Sequence, residues 1–328
     1  MQTADDLLIA FADWPPPTDP GPPLALIDLA RWPADARLGP LPPFPVIGLG
    51  EPSHPIAASL DVVVETPVTV EALIRSVSQA PRTAAVLVHL LRISEGLSVE
   101  QALPLESFCY GLLQGSSEHK AWLDNRPPQT ADPPGRVLIE RQEEILRVTL
   151  DRPAARNAID REMRDQLFEA FTVAALDPEV RTVKLRAIGP AFSIGGDLAE
   201  FGTTGDPAEA HLIRSRTLPA LPLSACAAKA EVHIQGACIG AGIELAAFAA
   251  KVTADPSAWF QLPELSMGLI PGAGGCVSLP RRIGRQRAAL MILSGKRISA
   301  KTALDWGLID AIVDDPPVDQ SGSDEIVA

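Results

Sequence analysis

Three glycine-rich turns stand close together in the second half of the chain: "IGGDL" (194–198), "CIGAGIE" (238–244) and "PGAGG" (271–275). Each reads as the end of an extended segment and the start of a helix. Glycine permits left-handed backbone and close backbone approach, so such turns fix where a chain can reverse. The segments around them obey the same rhythm. "VLIERQEEILRVTLDRP" reads as a hairpin of two alternating strands about a charged turn. "DREMRDQLFEAFTVAALD" reads as an amphipathic helix capped by Asp160, and "VRTVKLRAIGP" as a strand. "KAEVHIQGACIGAGIELAAFAA" follows as strand, turn and helix, and "PSAWFQLPELSMGLIPGAGG" as a further strand and turn. Strands alternating with helices over 137–313 predict an α/β domain.

The first part of the chain has another texture. Eleven of the 32 prolines lie within residues 1–45, which predicts loops and short strands at "LALIDL", "PVIGLG" and "LDVVVE". From Val70 onward the pattern turns helical, with Ser98 and Gln101 spaced as a capping box and Ser116 with His119 near another helix start. The expected organisation is an N-terminal region (1–126), a proline-rich linker (127–136), a core (137–314) and a disordered acidic tail (315–328).

The chain has 28 basic and 41 acidic residues, a net charge of −13, which argues against a nucleic-acid surface. "MQTADDLLIA" carries acid where a signal peptide carries base. Nothing in the sequence is apolar for long enough to span a membrane. Cys109, Cys226, Cys238 and Cys276 lack paired spacing and are expected as reduced thiols in a cytoplasmic protein. The five scattered histidines suggest no metal site.

The run "IGAGIELAAFAA" carries one carboxylate, Glu244. An ionised glutamate in so apolar a segment costs several kcal/mol unless it is compensated, on the order of a buried unpaired charge. A salt bridge or an exposed helix start would explain it, and so would a reactive site. Backbone N–H groups at helix starts favour anions, yet none of the turns has the order of a dinucleotide loop, and "LSGKRIS" is no phosphate loop.

Five blocks carry a family likeness: "VTLDRPAARNAID", "AFSIGGDLAEF", "VHIQGACIGAGIELAAFA", "FQLPELSMGLIPGAGGCVSLPRRIG" and "LSGKRISAKTALDWGLIDAIV". Over 137–314 the chain resembles the crotonase, or enoyl-CoA hydratase/isomerase, superfamily. The resemblance implies a ββα spiral core acting on an acyl-CoA thioester. It places an oxyanion hole at the N–H groups of Gly196 and Ala241, and an acid–base pair at Glu244 and Glu264. It also implies substrate contacts from Ala154, Arg156, Ile194, Gly195, Asp197, Gly240 and Gly272. Coenzyme A enters as part of the substrate, with no separate cofactor, and the expected assembly is a homotrimer or a dimer of trimers. Syn hydration of a 2-enoyl-CoA is the leading expectation. Double-bond isomerisation on the same frame and a non-catalytic acyl-CoA-binding subunit are the alternatives. Asp197 is also expected to cap the turn after it, His211, His233 and Asp255 to be structural, and "RRIGRQR" to be a solvated or subunit-contact face.

Two departures from the family stand out. Ala154 and Ala199 occupy positions where lysines often contact the nucleotide, leaving Arg152 and Arg156 as local cations. The core also ends soon after "GLIDAIV", whereas residues 61–126 resemble the missing family ending, displaced to the front ("GLSVEQALPLE", then "SSEHKAWLDNR"). We therefore expect the N-terminal region to pack on the core as a mainly helical lid, with Arg126 a candidate phosphate contact.

Overall fold

The computed structural model describes residues 2–19, 21–127 and 132–314. The expected acidic tail and linker residues 128–131 lie outside the described residues. A single helical turn, α1 (Ala4–Leu7), is closed by a capping box between Thr3 and Asp6. Strands β1 (Ala25–Asp28), β2 (Val46–Leu49) and β3 (Val62–Val63) then form a parallel sheet in that order. Parallel neighbours need long crossovers, and the proline-rich segments provide them. Ile27, Leu29, Trp32, Val46 and Leu60 form a small separate core on this sheet. The helices α2 (Val70–Gln79), α3 (Pro81–Ser94), α4 (Val99–Gln114) and α5 (Ser117–Asn125) follow. The starts of α4 and α5 are capped as the sequence suggests. The Gln101 side chain accepts from the Ser98 N–H at 3.2 Å, and Ser116 Oγ from the His119 N–H at 3.1 Å.

In the second half, β4 (Arg136–Gln142) and β5 (Ile145–Asp151) form the hairpin. Next come α6 (Arg161–Leu176), β6 (Thr182–Ala187), α7 (Pro207–Thr217), α8 (Ala220–Ala225) and β7 (Ala230–Ile234). Then follow β8 (Ala237–Ile239), α9 (Ala241–Ala246), β9 (Lys251–Ala254), β10 (Trp259–Gln261) and α10 (Gly275–Ile283). The series closes with α11 (Arg285–Ser294), β11 (Ile298–Ser299), α12 (Ala300–Trp306) and β12 (Ala311–Ile312). A six-stranded sheet in the order β12-β9-β7-β6-β5-β4 is parallel except at the hairpin. A second sheet, β11-β10-β8, lies beside it. The architecture is α/β with a helical region packed on it.

Two details depart from the sequence reading. "KAEVHIQGACIG" is not one strand: Gly236, at φ +56°, turns the chain so that β7 and β8 join different sheets. A Cβ there would sit 2.0 Å from the Pro190 carbonyl oxygen, so only glycine fits. The first glycine turn leads only into a 3-10 turn, Leu198–Glu200, and not into a helix.

The N-terminal helices fold back over the core. The helix α4 packs on α7 and α10, α5 packs on the 3-10 turn Glu264–Met267, and α2 and α3 pack on α11. Charged pairs reinforce the seam. Arg285 reaches Glu95 at 3.2 Å and the buried Asp61 at 3.6 Å, and Arg287 reaches Glu65 at 2.7 Å. Arg285 and Arg287 of "RRIGRQR" therefore serve an intramolecular joint, while Arg281 stays exposed. Among the described residues no helix is long and apolar enough to cross a membrane, and the four cysteines are unpaired.

Candidate active site

A short register argument builds the centre of the site. Ser193 bridges Cys238 in parallel, and the Ile239 N–H donates to the Ser193 carbonyl at 2.9 Å. Parallel segments keep equal steps abreast, so three residues farther on Gly196 and Ala241 come side by side. The turns touch backbone to backbone. A Cβ on Gly195 (φ +91°) would lie 3.1 Å from the Ile239 oxygen and 3.6 Å from the Ala241 nitrogen. One on Gly240 (φ +50°) would lie 2.7 Å from Glu264 Oε1. Buried Asn157 and Ser193 hold the first turn in place. Asn157 Nδ2 donates to the Ile188 and Ala191 carbonyls, and Ser193 Oγ donates to the Asn157 carbonyl at 2.7 Å. The N–H groups of Gly196 and Ala241 make no hydrogen bond among the described residues, and both residues line one cavity of about 260 Å³.

Glu244 and Glu264 face the same cavity. Glu244, one turn after Ala241 on α9, is buried, and its Oε2 accepts from the Ala273 N–H (2.7 Å) and the Gly275 N–H (2.9 Å). Burial raises its pKa to about 7, and the two amides oppose the rise. Glu264 opens the 3-10 turn before the third glycine loop, and its Oε2 is buried without a hydrogen-bond partner among the described residues. Burial, then the nearby Glu244 and Glu106 carboxylates, push its pKa well above the ordinary carboxylate range.

Glu106 escaped the sequence reading. It lies in α4, is 1% exposed, and accepts from the Gly274 N–H at 2.8 Å and the Cys276 N–H at 2.7 Å. Glu244 and Glu106 thus bind alternate amides of the stretch 273–276. Desolvation and the neighbouring Glu244 drive the Glu106 pKa well up. A signal existed, since a lone carboxylate in the mostly apolar "ALPLESFCYGLL" raises the same question as Glu244. The reading also missed Tyr110, Gln114 and His119 of the N-terminal helices, together with Arg214, which all line the cavity. Tyr110 lies on Gly272, where a Cβ would come within 2.3 Å of its ring. His119 is buried, and its Nδ1 lies 2.8 Å from the Met267 carbonyl.

The other expected substrate contacts divide into two groups. Gly272 and Asp197 line the cavity, and Ile194, Gly195 and Gly240 form the backbone seam beneath it. Asp197 does cap its turn, accepting from the Ala199 N–H at 2.9 Å. Ala154 and Arg156 are exposed and do not line the cavity. Arg152 is no free cation. It is 6% exposed, pairs with Asp197 at 2.8 Å and Asp160 at 3.6 Å, and donates to the Ala158 carbonyl. Arg126 likewise donates to the Leu198 and Phe201 carbonyls, at 2.5 and 2.9 Å, so it ties the loop after Asp197 to α5. His233 pairs with Asp255 at 3.0 Å and His211 Nδ1 lies 2.8 Å from Ser107 Oγ, both outside the cavity wall.

Residues 140–322 match the family model for enoyl-CoA hydratase/isomerase. The 2,3-dehydroadipyl-CoA hydratase of Escherichia coli K12 is 34% identical over 181 residues, which is 54% of this chain and 68% of that protein. The enoyl-CoA isomerase/hydratase fer4 of Mycosarcoma maydis is 34% identical over 182 residues, 51% of this chain and 65% of that one. Among solved structures, an enoyl-CoA hydratase from Thermoplasma volcanium superposes with a TM-score of 0.50 at 34% identity, over 55% of this chain and 72% of the other. The family model spans more than half of the chain, and the chain accordingly belongs to the enoyl-CoA hydratase/isomerase, or crotonase, family of enzymes.

Proposed function

We propose that this protein hydrates a 2-enoyl-CoA thioester by syn addition of water, with Gly196, Ala241, Glu244 and Glu264 as its reacting groups. One observation carries the reading: two unbonded N–H groups and two buried carboxylates face a single cavity. The thioester oxygen lies between the two N–H groups. Glu244, near half-ionised at neutral pH, takes a proton from water as the water oxygen bonds to C3. The C2–C3 π electrons move towards the thioester, and the two amides stabilise the enolate oxygen. Each such donor is worth about 3 kcal/mol in a pre-organised site. Glu264, whose pKa burial raises, then gives its proton to C2. The product is the 3-hydroxyacyl-CoA, and the two carboxyls have exchanged one proton for the next turnover.

In this reading CoA is part of the substrate and no further cofactor takes part. The turns 154–157 and 194–196 seat its adenine and pantetheine arm, and the N-terminal helices close the cavity as a lid. A cytoplasmic homotrimer, or a dimer of such trimers, completes the proposal; light scattering on the purified protein reads the assembly. The decisive assay follows crotonyl-CoA and longer enoyl-CoAs by loss of the conjugated absorbance. Glu244→Gln and Glu264→Gln should each lower kcat by about 10²–10⁴-fold. Double-bond migration that survives one of these changes would make the enzyme an isomerase instead. CoA binding without turnover in the wild type would make it a binding subunit.

A further inference from the structure

Arg214 has no role in the chemistry above, yet it lines the catalytic cavity. Its guanidinium makes three hydrogen bonds to neutral groups: Nε donates to Ser107 Oγ (2.9 Å), Nη1 to Gln114 Oε1 (2.9 Å) and Nη2 to the Ser107 carbonyl (3.1 Å). Two of its five N–H donors are left over. No ion pair to Arg214 exists among the described residues. Other shielded arginines differ. Arg92, Arg152 and Arg285 all meet carboxylates within 4.0 Å. The carboxyl that most affects Arg214 from outside its bonds is Glu106, whose two oxygens are both taken by the Gly274 and Cys276 amides. Arg214 also stacks on Tyr110, with Cζ 4.7 Å from the ring centroid. The Tyr110 hydroxyl makes no hydrogen bond among the described residues, and Tyr110 lines the same cavity.

A cation drawn partly out of water without a counter-charge is costly, and the Tyr110 hydroxyl beside it keeps its donor free for a ligand. Both groups therefore await a ligand atom. Leu218, Leu245 and Ile213 give the cavity apolar walls suited to methylenes. We propose that the acyl group taken by this site ends in a carboxylate, held by the Arg214 guanidinium and the Tyr110 hydroxyl. The proposal rests on reading the cavity as the acyl pocket of an enoyl-CoA enzyme. It selects dicarboxylic acyl-CoA thioesters over neutral chains of equal length. A phosphate of CoA would satisfy the same donors, but it lies a whole pantetheine arm from the thioester that the two glutamates address.

The test compares saturated adipyl-CoA with hexanoyl-CoA by calorimetric titration of the full-length protein, since neither ligand can be hydrated. The carboxylate should tighten binding by about 10- to 100-fold, the range of a charge-assisted hydrogen bond. Arg214→Met should collapse that ratio at least tenfold, and Tyr110→Phe should reduce it a few-fold. The matched 2-enoyl-CoA pair should show the same preference in kcat/KM. Hexanoyl-CoA bound as tightly as adipyl-CoA by wild type would overturn the proposal, whether or not the variants fold. So would an Arg214→Met protein that binds both ligands equally less well, because Arg214 would then be only a strut between α4 and α7. A preference for adipyl-CoA without any hydration would leave this inference standing and remove the hydratase reading. Hydration of neutral enoyl-CoAs with no preference would do the reverse, and binding of neither ligand would remove both.

Discussion

Replacing Glu244 with glutamine should remove a pH-dependent strain from the folded protein. Burial lifts this carboxyl from 4.5 to about 7 in the folded state. Below pH 4.5 the group is protonated whether the chain is folded or not, and it costs nothing. As the pH rises the unfolded chain ionises first, so the native state loses stability until the folded carboxyl ionises too, near pH 7. One pKa unit is worth about 1.4 kcal/mol, so the accumulated loss is about 3 kcal/mol. Glutamine cannot ionise and escapes that loss. Its side-chain oxygen can still accept from the Ala273 and Gly275 amides, and the extra strength those bonds gain from an ionised carboxylate is already contained in the folded pKa of about 7. The informative quantity is therefore the slope. Urea unfolding of both proteins at intervals from pH 4.5 to 8.5 should show the variant gaining about 3 kcal/mol on wild type across that window. Glu264 and Glu106 lose a like-charged neighbour in the variant, which pushes in the same direction. A flat difference, or wild type gaining with pH, would mean that Glu244 is not held near neutrality by burial. Its proposed role as the base on water would then fall.

Two further outcomes are expected. Asp61→Ala should cost about 3–5 kcal/mol in urea unfolding, because it strands Arg92, bonded at 2.5 Å, and frees the Val46 N–H, bonded at 2.9 Å, at a site 1% exposed. Glu106→Ala should leave the buried Gly274 and Cys276 amides without acceptors, at about 1–3 kcal/mol each. Hydrogen exchange at 273–276 should then quicken about tenfold or more relative to the rest of the core, and hydration should slow as the turn that holds Glu244 loosens.

The readable and unreadable parts of the site differ in a physical way. Glu244 was suspect from its own neighbours, because an apolar helix makes any carboxylate costly wherever that helix lies. The hairpin and the caps of α4 and α5 were equally legible, since strand alternation and Ser or Gln at a helix start act within a few residues. The 3-10 turn after Gly196 was not. Asp197 Oδ2 is drawn to Arg152, 45 residues away, and Gly202 at φ +75° redirects the chain. Arg152 was misread for the same reason: its partners Asp160 and Asp197 are distant in sequence but adjacent in space.

The sequence by itself determined the α/β alternation, the glycine turns and the family, and it pointed to the residues proposed for the chemistry. Those properties depend on local periodicity, on the sterics of glycine and on motifs a few residues long. Only the tertiary structure decided what surrounds the two glutamates. It brought Glu106 to amides 168 and 170 residues away, laid Tyr110 on Gly272 and left Arg214 lining the cavity with no ion-paired carboxylate among the described residues. No local rule fixes which helix covers which turn; that follows from how the apolar faces of α4 and α5 close against the core.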